Sequence, residues 1–278
     1  MLPPNEIAGA FRARPADANK YSVGTVAVVG GSGHYLNAPV IAALGARAAG
    51  AGLVRLVVPD ASRIGAATLV PEATFTKLTP TFVPPKADVT VAGMGLGQGM
   101  AAQAIVSRLI SGTPGRFVLD ADALTVLSGW YGAKGGYAPA AGQEIVLTPH
   151  EGEAARLLGV KPADVSADRP GAAKAIAKRY GAIAVLKGAC TIVVSPDGSK
   201  TFENPTGNPF MALGGMGDLL AGVIGARWAY IKTDAFLAVS SAVWLHGAAG
   251  DGVVSDAIDP SVANIAARLG SMRVRLDR

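Results

Sequence analysis

The sequence predicts an α/β protein, a parallel sheet flanked by helices that gives way to an almost wholly helical C-terminal region. Three observations carry this. Short β-branched runs alternate with Ala-rich stretches through most of the chain, which is the signature of strands joined by helical crossovers. From Gly215 onward that alternation stops, and one helical stretch follows another. Of 278 residues, 50% are hydrophobic, ample material for a core.

Taken in order, the first strand is expected at 23–29, Val-Gly-Thr-Val-Ala-Val-Val, ending in Gly30-Gly31-Ser32-Gly33. An Ala-rich helix at 38–50 separates it from a second strand at 53–58, Leu-Val-Arg-Leu-Val-Val. Further apolar, β-branched runs place strands at 88–92, 117–119, 144–147, 183–186 and 191–195. Helical stretches at 100–110, 123–127, 153–158 and 172–180 lie between them. Asp197-Gly198 is a turn signal joining two strand-like pieces. The terminal helices are expected at 218–230, 234–250 and 260–269, and the Gly/Ala-rich stretch 132–142 reads as a surface connection. No linker rich in Pro, Ser or charge interrupts the chain, and nothing repeats at a fixed period, so one domain is expected over 1–278.

Composition narrows the function. The net charge of +5 is spread thinly, without a dense basic run or interleaved aromatics, so small phosphorylated molecules are the expected anionic partners rather than nucleic acid. One cysteine, Cys190, excludes an intramolecular disulfide and fits a reducing cytoplasm. The N-terminus lacks the basic start and apolar core of a signal peptide, and every long apolar stretch is broken by charge and glycine, so neither export nor a membrane span is expected. A Gly-x-Gly-x-x-Gly traced through Gly31 and Gly33 fails at Leu36, and no Gly-Lys-Ser/Thr follows, so neither a dinucleotide fingerprint nor a Walker loop is present. His34, His150 and His246 are not spaced as zinc ligands, and no Gly-x-Ser-x-Gly elbow exists.

Ligands of open α/β sheets bind beyond the carboxyl ends of the strands. Those positions hold Gly30-Gly31-Ser32-Gly33, Gly93-Met94-Gly95-Leu96-Gly97, Asp120-Ala121-Asp122, Thr148-Pro149-His150-Glu151-Gly152-Glu153 and Lys187-Gly188-Ala189-Cys190-Thr191. The last cluster, Gly214-Gly215-Met216-Gly217-Asp218, opens an apolar helix, whose N-terminal N–H groups and dipole suit a phosphate. Asp218 there is either a helix cap or a proton acceptor. His150 either caps the helix behind it or meets a substrate, and Lys187 is either a phosphate contact or a solvated strand-end lysine. Asp120 and Asp122 either face the ligand or cap the next helix, and stay outside the catalytic set. His246, in the apolar run Val-Trp-Leu-His-Gly, reads as a satisfied core residue, and His34 as a loop residue.

The ordered set Gly-Ser, Gly-x-Gly-Leu-Gly, Leu-Asp-Ala-Asp-Ala-Leu, Thr-Pro-His-x-x-Glu, Leu-Lys-Gly-x-x-Thr and Gly-Gly-x-Gly-Asp closely resembles the ADP- or ATP-dependent NAD(P)H-hydrate dehydratases, from about Val23 to Asp259. The resemblance implies a ribokinase-like three-layer sandwich with a mostly parallel central sheet. It also implies metabolite repair, in which ADP or ATP drives loss of water from hydrated NADH or NADPH with magnesium present. The chain looks like the stand-alone form, without the epimerase domain fused ahead of the dehydratase in many relatives, and a homotetramer is implied.

By the same resemblance Asp218 is the catalytic base and lies between the two substrates, with an anion hole at Gly215, Met216 and Gly217. Ala38, Gly95, Gly97 and His150 bind the hydrate, while Lys187, Gly188, Ala189, Cys190, Thr191 and Gly217 bind the nucleotide. Cys190 itself is expected as a small filler between ligand loop and sheet. Glu153 follows His150 by three residues, either an element organising magnesium or a helix-capping carboxylate. The family pattern is departed from at Asn37, Met94, Glu151 and Met216, the last replacing a threonine. The competing reading is an ATP-dependent small-molecule kinase of the same superfamily, of thiazole or hydroxymethylpyrimidine type.

Overall fold

The computed structural model describes residues 1–111, 114–134 and 139–277. After the single-turn helix α1 (Asn5–Ala8) come β1 (Thr25–Val29), α2 (Ala38–Ala48), β2 (Leu53–Val58), α3 (Arg63–Leu69), β3 (Thr74–Lys77), β4 (Val89–Ala92) and α4 (Met100–Ile110). The chain continues through β5 (Gly115–Leu119), α5 (Asp122–Lys134), β6 (Gln143–Leu147), α6 (Glu151–Leu158), α7 (Pro162–Ala167), α8 (Arg169–Tyr180) and β7 (Ile183–Leu186). It ends with β8 (Ile192–Val194), β9 (Thr201–Glu203), α9 (Met216–Tyr230), α10 (Ala235–Ser255) and α11 (Val262–Leu276).

All nine strands form one sheet in the order β3-β2-β1-β4-β5-β6-β7-β8-β9. The pairs from β3 through β7 are parallel, and β8 and β9 add antiparallel at one edge. The order reverses between β1 and β4, which pair with Val29 opposite Ala92 at their carboxyl ends. That switch point opens a crevice where ligands of such sheets bind.

Every residue of β1 is buried, as a central parallel strand covered on both faces must be. Val26 and Val28 face one apolar layer, which takes in α2, α9 and α10, while Val29 faces the other, built on α4, α5, α6 and α8. Beyond its first turn helix α9 shows no separate polar face because it is enclosed almost all round, its buried Arg227 being paired with Asp277. It crosses α2 at backbone distance: a Cβ on Gly222 would lie 1.8 Å from the carbonyl oxygen of Ala42. This contact fixes the N-terminus of α9 over the sheet.

The three layers match the expected α/β sandwich. Four elements were not anticipated, namely α1, α3, β3 and α7. β3 is an edge strand in which Phe75 alone packs on the core, so it has no apolar run to show. Helix α5 continues to Lys134, into the stretch expected as a connection; within that stretch, residues 135–138 lie outside the described residues. Among the described residues no helix is long and apolar enough to cross a membrane.

Candidate active site

The carboxyl ends of β1, β4, β5, β6 and β7 converge below the N-terminus of α9. Gly215, the N-cap residue of α9, has φ of 91°, a left-handed conformation that glycine adopts without strain. It turns the chain into a 15-residue helix that lacks a capping side chain. The Met216 N–H donates to Leu213 O at 3.3 Å. The N–H groups of Gly215, Gly217 and Asp218 find no acceptor among the described residues and supply the unpaired donors of a helix N-terminus. Of the three expected anion-hole residues, Gly215 and Gly217 thus keep a free donor and Met216 does not.

Asp218 accepts no hydrogen bond among the described residues, so it does not act as a cap. Burial raises its pKa to about 7; the nearby Asp120 and Glu153 carboxylates push the same way, and Lys187 pulls against them. A carboxyl group with that pKa is divided between acid and base near neutral pH.

Lys187 leaves the end of β7, and its Nζ donates to Asp120 Oδ1 at 2.6 Å and stands 3.8 Å from Glu153 Oε2. Burial lowers the ammonium pKa, but Asp120, Glu153 and Asp218 outweigh it and the net shift is upward, so the group is a cation. A Cβ on Gly217 would lie 3.4 Å from this Nζ and 3.8 Å from Asp120 Oδ2, which places the ion pair directly beneath the first turn of α9. Lys187 is therefore not a solvated strand-end lysine. Asp120, 2% exposed, belongs to the site although its sequence context left it open. Its partner is 67 residues away, and only the sheet brings the two together.

His150 caps α6: its Nδ1 accepts from the N–H of Gly152 at 3.0 Å and of Glu153 at 3.4 Å. Glu153 completes the capping box by accepting the His150 N–H at 2.8 Å. Its carboxylate is engaged there, and among the described residues no group of three or more His, Cys, Asp or Glu stands ready to hold a metal ion. Asp122 accepts the N–H of Gly97 at 2.8 Å, pinning the loop after β4. Across the switch point the loops after β1 and β4 pack together: a Cβ on Gly95 would lie 2.5 Å from Tyr35 Cβ and 3.5 Å from Ala38 Cβ, so Gly95 and Ala38 are neighbours there. Glu151 pairs with Arg169, whose guanidinium also donates to Cys190 O at 2.9 Å and holds the loop after β7. The departure from the family pattern at Glu151 is thus a strut for that loop.

Beside Lys187 and Gly217 opens a cavity of about 480 Å³. Gly188, Ala189 and Thr191 line it, and so do segment 206–209, Met211 and Ala212, and α10 through Val243 and His246. Cys190 lies outside that lining. It is exposed, not a filler under the loop, and its Sγ donates to Asn204 O at 3.6 Å. His246 departs from expectation too: it is buried, but among the described residues Nε2 has no hydrogen-bond partner, and the residue borders the cavity.

A mostly parallel sheet carrying, on its carboxyl edge, a cavity of nucleotide size against a helix N-terminus and a buried lysine defines the class: the fold is ribokinase-like. The chain belongs to the NAD(P)H-hydrate dehydratase family, whose signature matches residues 26–267. It is 39% identical over 247 residues to an ADP-dependent (S)-NAD(P)H-hydrate dehydratase of Neisseria meningitidis, covering 87% of this chain and 81% of that one. It is 42% identical over 261 residues to a bifunctional NAD(P)H-hydrate repair enzyme of Gloeobacter violaceus, covering 90% of this chain but 49% of the relative, so it spans about half that protein's length. The crystal structure of an ADP/ATP-dependent NAD(P)H-hydrate dehydratase of Bacillus subtilis, co-crystallized with ATP and Mg2+, superposes with a TM-score of 0.86 at 28% identity, covering 97% of this chain and 96% of that one.

Proposed function

We propose that this chain dehydrates hydrated NADH and NADPH at the expense of ADP or ATP, with ADP the preferred donor. The supporting observation is Asp218, a carboxylate that accepts no hydrogen bond among the described residues, tuned to about 7 and set at a helix N-terminus beside a nucleotide-sized cavity. Hydroxide is a poor leaving group from the hydrated ring, whereas phosphate leaves readily when the ring nitrogen pushes electrons toward the carbon that bears it. The hydroxyl oxygen therefore attacks the terminal phosphorus, Asp218 takes the hydroxyl proton, and AMP (or ADP) departs. The C–O bond then breaks to release phosphate, and loss of a proton from the adjacent ring carbon restores the double bond.

In this reading the N–H groups of Gly215 and Gly217 meet the charge that grows on the transferred phosphoryl group, with Lys187 as the fixed cation beneath them. The nucleotide lies along Lys187, Gly188, Ala189, Cys190 and Thr191, with Cys190 offering backbone only. The hydrated dinucleotide lies in the crevice at Ala38, Gly95 and Gly97, and reaches His150. Magnesium enters with the nucleotide as part of that substrate, bound by its phosphates, and no step is routed through Glu153. Residues 1–278 act as one dehydratase unit, cytoplasmic and assembled as a homotetramer, in this proposal.

Incubation with hydrated NADPH and ADP, and separately ATP, tests it. Recovery of the reduced-nicotinamide absorbance with matched release of phosphate is expected. A stable phosphorylated alcohol without that recovery would replace the proposal with the small-molecule kinase reading.

A further inference from the structure

Six polar side chains border the cavity, and five are already bonded within the protein. Lys187 pairs with Asp120, and Thr191 donates to Gly188 O at 3.3 Å. Asn204 donates to Thr206 O at 2.9 Å, and Thr206 Oγ1 lies 2.9 Å from Asn204 Oδ1. Asn208 donates to Asp251 Oδ1 at 2.9 Å. The sixth is His246, in the middle of α10 and 7% exposed. Its Nε2 is buried with no partner among the described residues. Buried polar groups in folded proteins are almost always bonded, so a histidine that borders a cavity with neither ring nitrogen bonded among the described residues, Nε2 being enclosed behind the part of the ring that meets the cavity, marks a place that a ligand completes.

The neighbouring wall is apolar, formed by Met211, Leu220 and Val243, while the donors for phosphate lie at the other end, at Lys187 and Gly217. We infer that His246 hydrogen-bonds the purine base of the adenine nucleotide, seated against that apolar wall, and is a specificity-determining residue for the nucleotide. Burial lowers the imidazole pKa to about 4, so the ring is neutral at pH 7 and offers one donor and one acceptor, as the edge of a base requires. Rotation about the Cβ–Cγ bond exchanges which nitrogen is presented.

The inference rests on the nucleotide-dependent reading, and one set of measurements separates the two. ADP binding to the full chain is measured by calorimetry for the wild type, His246→Leu and His246→Gln. Inorganic pyrophosphate is run as a competitor that carries no base. The expected result is ADP binding about tenfold or more weaker in His246→Leu. His246→Gln, which keeps a donor and an acceptor, recovers part of it, and pyrophosphate affinity is the same in all three proteins. In turnover the Leu variant shows a raised KM for ADP with kcat nearly unchanged at saturation.

ADP affinity within twofold of the wild type in His246→Leu overturns the assignment. So does a parallel loss of pyrophosphate affinity, or equal losses in both variants accompanied by equally lowered melting temperatures, which would mark a packing role. Absence of ADP binding by the wild type overturns it as well. A wild type that binds ADP in this His246-dependent way but leaves hydrated NADPH unchanged defeats the dehydratase reading alone.

Discussion

Asp218→Asn separates what this carboxylate does for catalysis from what it costs the fold. The side chain is mostly buried, lies near two other carboxylates and has no hydrogen bond among the described residues, so its ionised form is disfavoured and its pKa moves from 3.8 to about 7. A raised carboxyl pKa means that the folded state holds a proton the unfolded chain has already released. Stability is therefore intact below the unfolded value near 3.8 and is lost as pH rises through about 7. A rise of roughly three pH units, at 1.36 kcal/mol each, puts the ceiling of that loss at about 4 kcal/mol. Asparagine keeps the shape and cannot ionise. Urea unfolding from pH 4 to 9 should show the variant and wild type nearly equal at the acid end. The variant's advantage should widen up to about pH 7 and then level off at no more than that ceiling. Turnover should fall by about 10²–10⁴-fold at the same time, the usual contribution of a positioned base, with ADP affinity retained. In the wild type, the rate with nucleotide should rise through the same pH range as the base is freed. A variant no more stable than the wild type at pH 8, or one that keeps its turnover, refutes the reasoning.

Lys187→Met removes the cation shared by Asp120 and Glu153, and breaking a buried pair by deleting one partner costs roughly 3–5 kcal/mol; chemical denaturation at pH 8 should show a loss of this size together with weakened ADP binding. Gly222→Ala drives a methyl group against Ala42 O where α2 and α9 cross, so a stability loss of about 1–3 kcal/mol or more is expected in thermal melts, and an unchanged melting temperature would deny the backbone contact. His150→Ala strips the cap from α6, worth about 0.5–2 kcal/mol. If the ring also meets the dinucleotide, KM for the hydrate rises too, whereas a stability loss with unchanged KM leaves His150 as a cap alone.

The strands covered on both faces were the plainest in the sequence, since β1 and β7 read as uninterrupted β-branched or apolar runs, while β2 showed through a run broken only by Arg55. β3 escaped notice because an edge strand with only Phe75 packed inward carries no such run. At the site, the glycine clusters and Asp218 stood out because each follows a strand or opens a helix. Asp120 did not, since an aspartate after a strand is as often a cap, and its meaning comes from a lysine that chain folding alone brings near. His246 was hidden for the opposite reason. An apolar helix around a histidine signals core, and the cavity beside it is made by the distant segment 204–212, which no local pattern links to α10. The spacing of Glu153 to His150 fitted a magnesium-organising element as well as a cap, and the capping box is what formed.

The chemical step is tested most directly by the fate of the hydrate's own oxygen. NADPH hydrate carrying a heavy-oxygen label at the ring hydroxyl is turned over with unlabelled ADP, and the products are read by mass spectrometry. Phosphorylation of that hydroxyl followed by elimination puts one labelled oxygen into every phosphate released. Label recovered in water, with unlabelled phosphate, would mean that the hydroxyl never attacked phosphorus and that Asp218 does not serve the reaction proposed for it.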